Sequence, residues 1–257
     1  MTARSALREM RSLTDPPISL FHIEGTLAKK PSWTERERQV LSSWKRYLAW
    51  EESNPLEIED ENLKNDRVSY AFKKSLVYMR FYPEIWYRAY TSHKSMGRED
   101  EAFNLLKQGN EANPDSYLLT FALAEIEELH HHYRESHDAF NRLSSHILDS
   151  IKNIETYILR QQAELNNQLP LIEHQANSSA QLGEFEGDIR EKKRLAEVEI
   201  NEKKEAVAKS RSKEIEELCK GLGLIWVMKM RLGRRSEVSI SVLKEFVLNN
   251  NLMFLGY

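Results

Sequence analysis

Cysteine is nearly missing from this chain: Cys219 is the only one in 257 residues. A single thiol rules out an internal disulfide framework and fits a reducing compartment. Glycine and proline are also scarce, at 9 and 7 residues, too few to punctuate a fold of many short strands and tight turns. No apolar run reaches the roughly 18 residues that read as a membrane-spanning helix, and residues 1–20 are studded with charges rather than an apolar signal core. Neither sign of charge dominates; the net charge is −3, so bulk electrostatics do not make the whole chain a polyanion binder. Catalytic signatures are missing too: there is no GxSxG, no Walker loop, no HExxH and no Cys/His cluster at ligand spacing. No enzymatic activity, metal or cofactor is expected. With 40% hydrophobic residues against 30% charged ones, one thick central core is not expected either.

What the chain does have is aromatic residues, 10 Tyr and 5 Trp, arranged with helical spacing. The stretch WKRYLAWE, residues 44–51, places Trp44, Tyr47 and Glu51 at i, i+3 and i+7, and Trp50 widens the same face to two rows. Such a face must be buried against other helices. The theme recurs. RVSYAFKKSL (67–76) follows as an amphipathic helix with Phe72 on its apolar side. After Tyr82-Pro83, the segment PEIWYRAY opens a helix carrying Trp86 and Tyr90, with DEAFNLLKQG (100–109) as its partner. After Asn113-Pro114 come LLTFALAEIEE (118–128), ending in Glu127, and SHDAFNRL (136–143), with Phe140 and Arg142. An aromatic or aliphatic helix A, a short turn and a basic amphipathic helix B alternate with a period of about 34–42 residues, the range of paired-helix solenoids.

These residues resemble the HAT repeat, whose helix A carries W-x-x-Y-x-x-aromatic-E. Trp44, Tyr47, Trp50 and Glu51 fill all four positions. In the second unit Trp86 matches, while Ala89, Ser92 and His93 replace the rest. The third unit keeps Ile126 and Glu127, with Thr120 and Leu123 before them, and a fourth helix A starts at Trp226, with Lys229 and Gly233 in the Tyr and Glu positions. The loop ESNPLEIED and the segments RVSYAFKKSL, PEIWYRAY and YRESHDAFNRL are similar to the suppressor-of-forked family, over about residues 1–149 and 222–236. That resemblance implies an all-α superhelix of helix pairs and a scaffold role in cleaving and polyadenylating pre-mRNA 3′ ends in the nucleus, with the cytoplasm as a second address. It implies other cleavage and polyadenylation subunits as partners, including an RNA-recognition-motif subunit, and a homodimer. In the family those two contacts use a Pro-rich tail and later repeats, which are not in this text. The helix B text at Ala3-Arg4, with no helix A before it, makes the chain read as an internal slice.

The expected organisation is the end of a preceding repeat plus a connector over 1–34, HAT repeats over 35–149, a charged insertion over 150–221, and a degenerate pair with an atypical tail over 222–257. In the insertion 21 of the 37 residues from 184 to 220 are charged, and Glu199–Lys203, Glu205–Lys209 and Glu216–Lys220 are favourable i,i+4 pairs. It is expected to be part helix and part disorder, with breaks at Pro170 and Gly183, since its apolar residues sustain no heptad. The first helix B is expected over 57–80. Its Arg67, Lys73, Lys74 and Arg80 alternate with Tyr70, Phe72 and Tyr78, a pattern that suits either RNA contact or a core face with a solvated basic back. Val68, Ala71, Phe72, Ser75 and Leu76 fall on one side and favour the second, so RNA contact is expected to be indirect. His130, His131 and His132 are read as an exposed turn, because adjacent helical residues diverge by about 100° and cannot all reach one ion. A HAT scaffold of splicing or ribosome biogenesis is the rival function.

Overall fold

The computed structural model describes residues 3–14, 28–168, 170 and 186–235, and every regular element among them is α-helical. The helices are α1 (Ala3–Thr14), α2 (Glu35–Glu52), α3 (Glu61–Tyr78), α4 (Pro83–Ser95), α5 (Glu99–Ala112), α6 (Tyr117–Leu129), α7 (Tyr133–Asn166) and α8 (Glu186–Arg235). The all-α repeat architecture expected from the sequence is therefore present. The expected connector residues 15–27, the stretch 171–185 around Gly183 and the tail from 236 lie outside the described residues. The chain divides into two compact units, residues 1–143 and 144–257.

In the first unit each helix packs on its neighbours in sequence: α1 on α2, α2 on α3, α3 on α4, α4 on α5, α5 on α6, and α4 also on α6. That local pattern is how a solenoid forms a core without long-range closure. Helix α1 docks on the unit through buried Ala6, with Met10 and Leu13 packed against the core and Leu7 left exposed. The contact with α2 covers this face.

Local sequence sets the helix boundaries. Thr34 and Glu37 form a capping box at the start of α2: the Glu37 amide donates to Thr34 Oγ1 at 3.3 Å and the Thr34 amide to Glu37 Oε2 at 3.1 Å. The first helix B is shorter than the expected 57–80, because ESNPLEIED makes its own loop. Asn54 and Glu57 both take left-handed backbone (φ 54°). Asn54 then clamps Ile58, accepting from its amide and donating to its carbonyl, each at 3.0 Å. Asp60 caps α3 by accepting from the Asn62 amide at 2.9 Å. Pro83 occupies the first turn of α4, where its missing N–H costs nothing. Ser116 caps α6 through the Leu119 amide at 3.3 Å.

Ion pairs join one helix A to the next. Lys45 of α2 pairs with Glu84 of α4, and Arg88 of α4 donates to Glu52 at 2.5 Å and to the Lys45 carbonyl at 2.8 Å. The helix B layers are joined in the same way, by Arg98 and Asp66 at 2.6 Å.

The helix expected over 136–143 does not stop there. Helix α7 continues for 34 residues and α8 for 50, so the expected boundaries at 149/150 and 221/222 fall inside continuous helices. Trp226 accordingly lies within α8 and does not start a helix. Within the second unit Glu199–Lys203 and Glu216–Lys220 close at 2.7 and 2.8 Å on the exposed surface. The third expected pair, Glu205–Lys209, is not among the ion pairs formed.

Trp44 is the largest wholly buried side chain. It stacks on Tyr78 of α3 with ring centroids 5.9 Å apart and meets Tyr47 edge-on at 5.9 Å. Its replacement by alanine should cost about 3–5 kcal/mol, the range for emptying a large aromatic from a core. Urea unfolding of the full chain checks this; a loss below about 1 kcal/mol would remove Trp44 from the packing account.

Candidate functional site

The four positions of helix A fall into the core in each of the first three repeats. In α2 these are Trp44, Tyr47, Trp50 and Glu51; in α4, Trp86, Ala89, Ser92 and His93; in α6, Thr120, Leu123, Ile126 and Glu127. All twelve are buried. In α8 the corresponding Lys229, Leu232 and Gly233 are buried and Trp226 partly so.

The last position is polar in all three repeats, and each time it is held by a helix B. Glu51 is 3% exposed and takes a two-point contact from Arg67 of α3, at 2.6 and 3.0 Å. His93 lies between two partners: its Nδ1–H donates to the Ala89 carbonyl at 2.8 Å, so Nε2 accepts from Ser69 of α3 at 2.5 Å. Glu127 pairs with Lys107 of α5 at 3.4 Å and with His132 at 2.9 Å. A buried carboxylate is tolerable only with such partners. Burial of the ring, with the Glu51 carboxylate beside it, raises the Tyr47 hydroxyl above the usual phenol range and keeps it protonated.

Trp86 organises the second repeat. Its Nε1–H donates to the Arg80 carbonyl at 2.7 Å, and its ring lies against the backbone of α5 at Gly109, where an added Cβ would come within 2.9 Å of the indole. Asn113 reinforces the joint by donating to the same Arg80 carbonyl at 3.0 Å. Tyr90 is buried, with Lys94 donating to its hydroxyl at 3.3 Å. Phe72 and Phe140 are both buried, Phe140 at 5.7 Å from Phe121. Arg142 is exposed, since Ala139, Phe140 and Leu143 turn the apolar side of α7 the other way.

The three histidines form the turn between α6 and α7. His131 is left-handed (φ 63°), and all three are exposed. On α8, burial lowers the Lys229 ammonium to a pKa of about 8, with the Trp226 ring 5.0 Å from its charge. Of the aromatics interleaved on α3, Phe72 and Tyr78 pack inward, but Tyr70 is 69% exposed. That is a correction to the reading in which all three face the core. Arg67, Ser69 and Lys107 as partners of the polar position were missed. Their signal in the text was a polar residue seven positions after the first motif residue of each helix A (Trp44, Trp86, Thr120), which burial obliges to find a partner.

The Suppressor of forked protein family matches residues 1–246. The chain belongs to this family. Among relatives, Suppressor of forked similarity is 37% identity over 244 residues with the mRNA 3′-end-processing protein RNA14 of Cryptococcus neoformans, covering 92% of this chain and 22% of that protein. The protein of the same name in Schizosaccharomyces pombe is 27% identical over 156 residues, 61% of this chain and 21% of the relative. Cleavage stimulation factor subunit 77 of Arabidopsis thaliana is 33% identical over 102 residues, 40% of this chain and 14% of the relative. The chain thus spans about a fifth of the length of the first of these Suppressor of forked relatives.

Two substitutions test the geometry. Gly109→Ala gains up to about 1 kcal/mol of helix propensity but drives a methyl into an indole fixed at both ends, and overpacking of that kind costs about 1–3 kcal/mol. A net loss of stability on denaturant unfolding is expected; a gain would mean that α5 does not press on Trp86. Arg67→Ala leaves the Glu51 carboxylate buried and should cost about 2–3 kcal/mol, less than a fully buried pair because Arg67 is 34% exposed. Unfolding at neutral pH reads that loss, and a neutral result would deny the pair its place in the core.

Proposed function

We propose that this chain is part of a scaffold subunit of the machinery that cleaves and polyadenylates pre-mRNA 3′ ends in the nucleus, and that it acts through protein–protein contacts rather than catalysis. Two considerations support this reading. The relatives are named for 3′-end processing and cleavage stimulation. The buried apolar side chains of the first unit pack helix against helix, which leaves outer faces and a groove for partners. Among the described residues no helix is long and apolar enough to cross a membrane. A homodimer and an RNA-recognition-motif subunit are proposed as partners of the longer assembly. RNA is proposed to be reached through them.

Direct RNA contact is the second reading, favoured by the exposed ring of Tyr70 beside Lys73 and Lys74 on α3. Electrophoretic shifts at about 50 and 200 mM salt separate the two readings, because phosphate-driven affinity collapses over that range. The scaffold reading expects weak binding at both.

Affinity purification of the tagged chain from nuclear extract of its own cells, followed by mass spectrometry, tests the main reading. Recovery of cleavage and polyadenylation subunits is the expected result. Enrichment of splicing or ribosome-biogenesis factors in their place would assign the scaffold to the rival machinery.

A further inference from the structure

Between α3 and α5, over the floor made by α4, runs an open groove of about 690 Å³. Its floor is apolar, with Leu76, Trp86, Leu105 and Ala112 among the residues that line it. Its two walls differ. Along α3 and the turn after it stand Lys73, Val77 and Arg80, all exposed. Neither cation takes part in an ion pair among the described residues. Along α5 stand Glu101, Asn104, Gln108 and Glu111, also exposed. Glu101 is the one of these with a partner, leaning on Arg98 at 4.0 Å, and neither amide is engaged in a side-chain hydrogen bond among the described residues.

We propose that this groove binds an extended peptide segment of a partner protein, one in which an aliphatic side chain lies between two acidic ones at two-residue spacing. Asn104 and Gln108 are four residues apart on one face of α5, a rise of about 6 Å. The two-residue repeat of an extended chain is about 6.6 Å. A primary amide offers both a donor and an acceptor, so each can take the N–H and C=O of alternate peptide residues. With its backbone on α5, the segment points every second side chain across the groove. The central aliphatic residue reaches the Leu76, Trp86 and Leu105 floor. Lys73 on α3 and Arg80 in the turn that follows it then line the wall that faces acids four residues apart, about 13 Å along an extended strand. Glu101 and Glu111 on the opposite wall argue against a phosphate backbone as occupant, since a polyanion would meet carboxylates on that side.

The inference deepens the scaffold reading and rests on it for the choice of a protein segment as occupant. Its test is separate. Binding of a fluorescein-labelled peptide, Ser-Asp-Thr-Leu-Thr-Asp-Ser, to the full chain is followed by anisotropy. The Lys73→Glu, Arg80→Glu double variant keeps the Arg80 backbone carbonyl that holds Trp86, and Asn104→Ala with Gln108→Ala favours helix α5. Each double variant should weaken binding about tenfold or more at unchanged thermal stability, as should replacing both peptide acids with lysine. No binding at roughly 1 mM protein, equal affinity in both double variants, or equal binding of the lysine peptide would overturn the proposal. So would a labelled single-stranded RNA 12-mer that binds more tightly and loses affinity in the same cation variant, which would transfer the groove to nucleic acid. None of these outcomes bears on which subunits the chain recovers from nuclear extract, so failure here leaves the scaffold reading standing.

Discussion

Each helix A of the first unit carries a stripe that cannot face water, and each stripe ends in a polar group that cannot be buried alone. Those two requirements act together. The apolar part drives the helix against its neighbours at about 25 cal/mol per Å² of surface removed from water, but it is indifferent to small slides along the axis. The polar end is not. Glu51 needs Arg67, His93 needs Ser69, and Glu127 needs Lys107 or His132; an unsatisfied buried polar group costs about 1–3 kcal/mol, and a charge more. The burial of rings supplies the driving force, and the polar contacts set the register in which helix B lies on helix A.

Steric fit adds a second constraint at the middle repeat. Trp86 stands between the turn after α3, through the Arg80 carbonyl, and the last turn of α5, through Gly109. Because both neighbours are fixed by the same indole, the groove above it inherits a defined width. Alternation along the chain thus produces a rigid floor and two dissimilar walls from residues that were needed only to close the repeat. Partner contact can then use side chains such as Lys73, Asn104 and Gln108, which carry no structural duty of their own.

Much of this was legible in the text. Helical period and the order of helices A and B follow from spacing, because burial on a helix is a matter of angle, whereas the register of the degenerate unit Thr120-Leu123-Ile126-Glu127 follows from the resemblance to the HAT repeat. Loop ends were less legible. Asn54 and Glu57 adopt left-handed backbone, and the side-chain clamp on Ile58 that stabilises this turn has no periodic signature, so α3 begins four residues later than the pattern implied. Helix was expected in part of the insertion, but its continuity with the repeats in α7 and α8 was missed for a related reason. Across 150–166 and 186–221 the apolar rhythm fades, yet helix persists in α7 and α8, since charged residues with good helix propensity need no core face to stay helical. Tyr70 shows the opposite limit: alternation of rings and cations on α3 did not reveal which ring faces out.

The central claim is that the first unit holds together through neighbour cover, so that opening one repeat uncovers the next. Hydrogen exchange on the full chain carrying Trp86→Ala, read peptide by peptide, tests it most directly. The account predicts faster exchange in α3 and α5 together with α4, because both lean on that ring. Acceleration confined to α4, with α3 and α5 as protected as before, would contradict it.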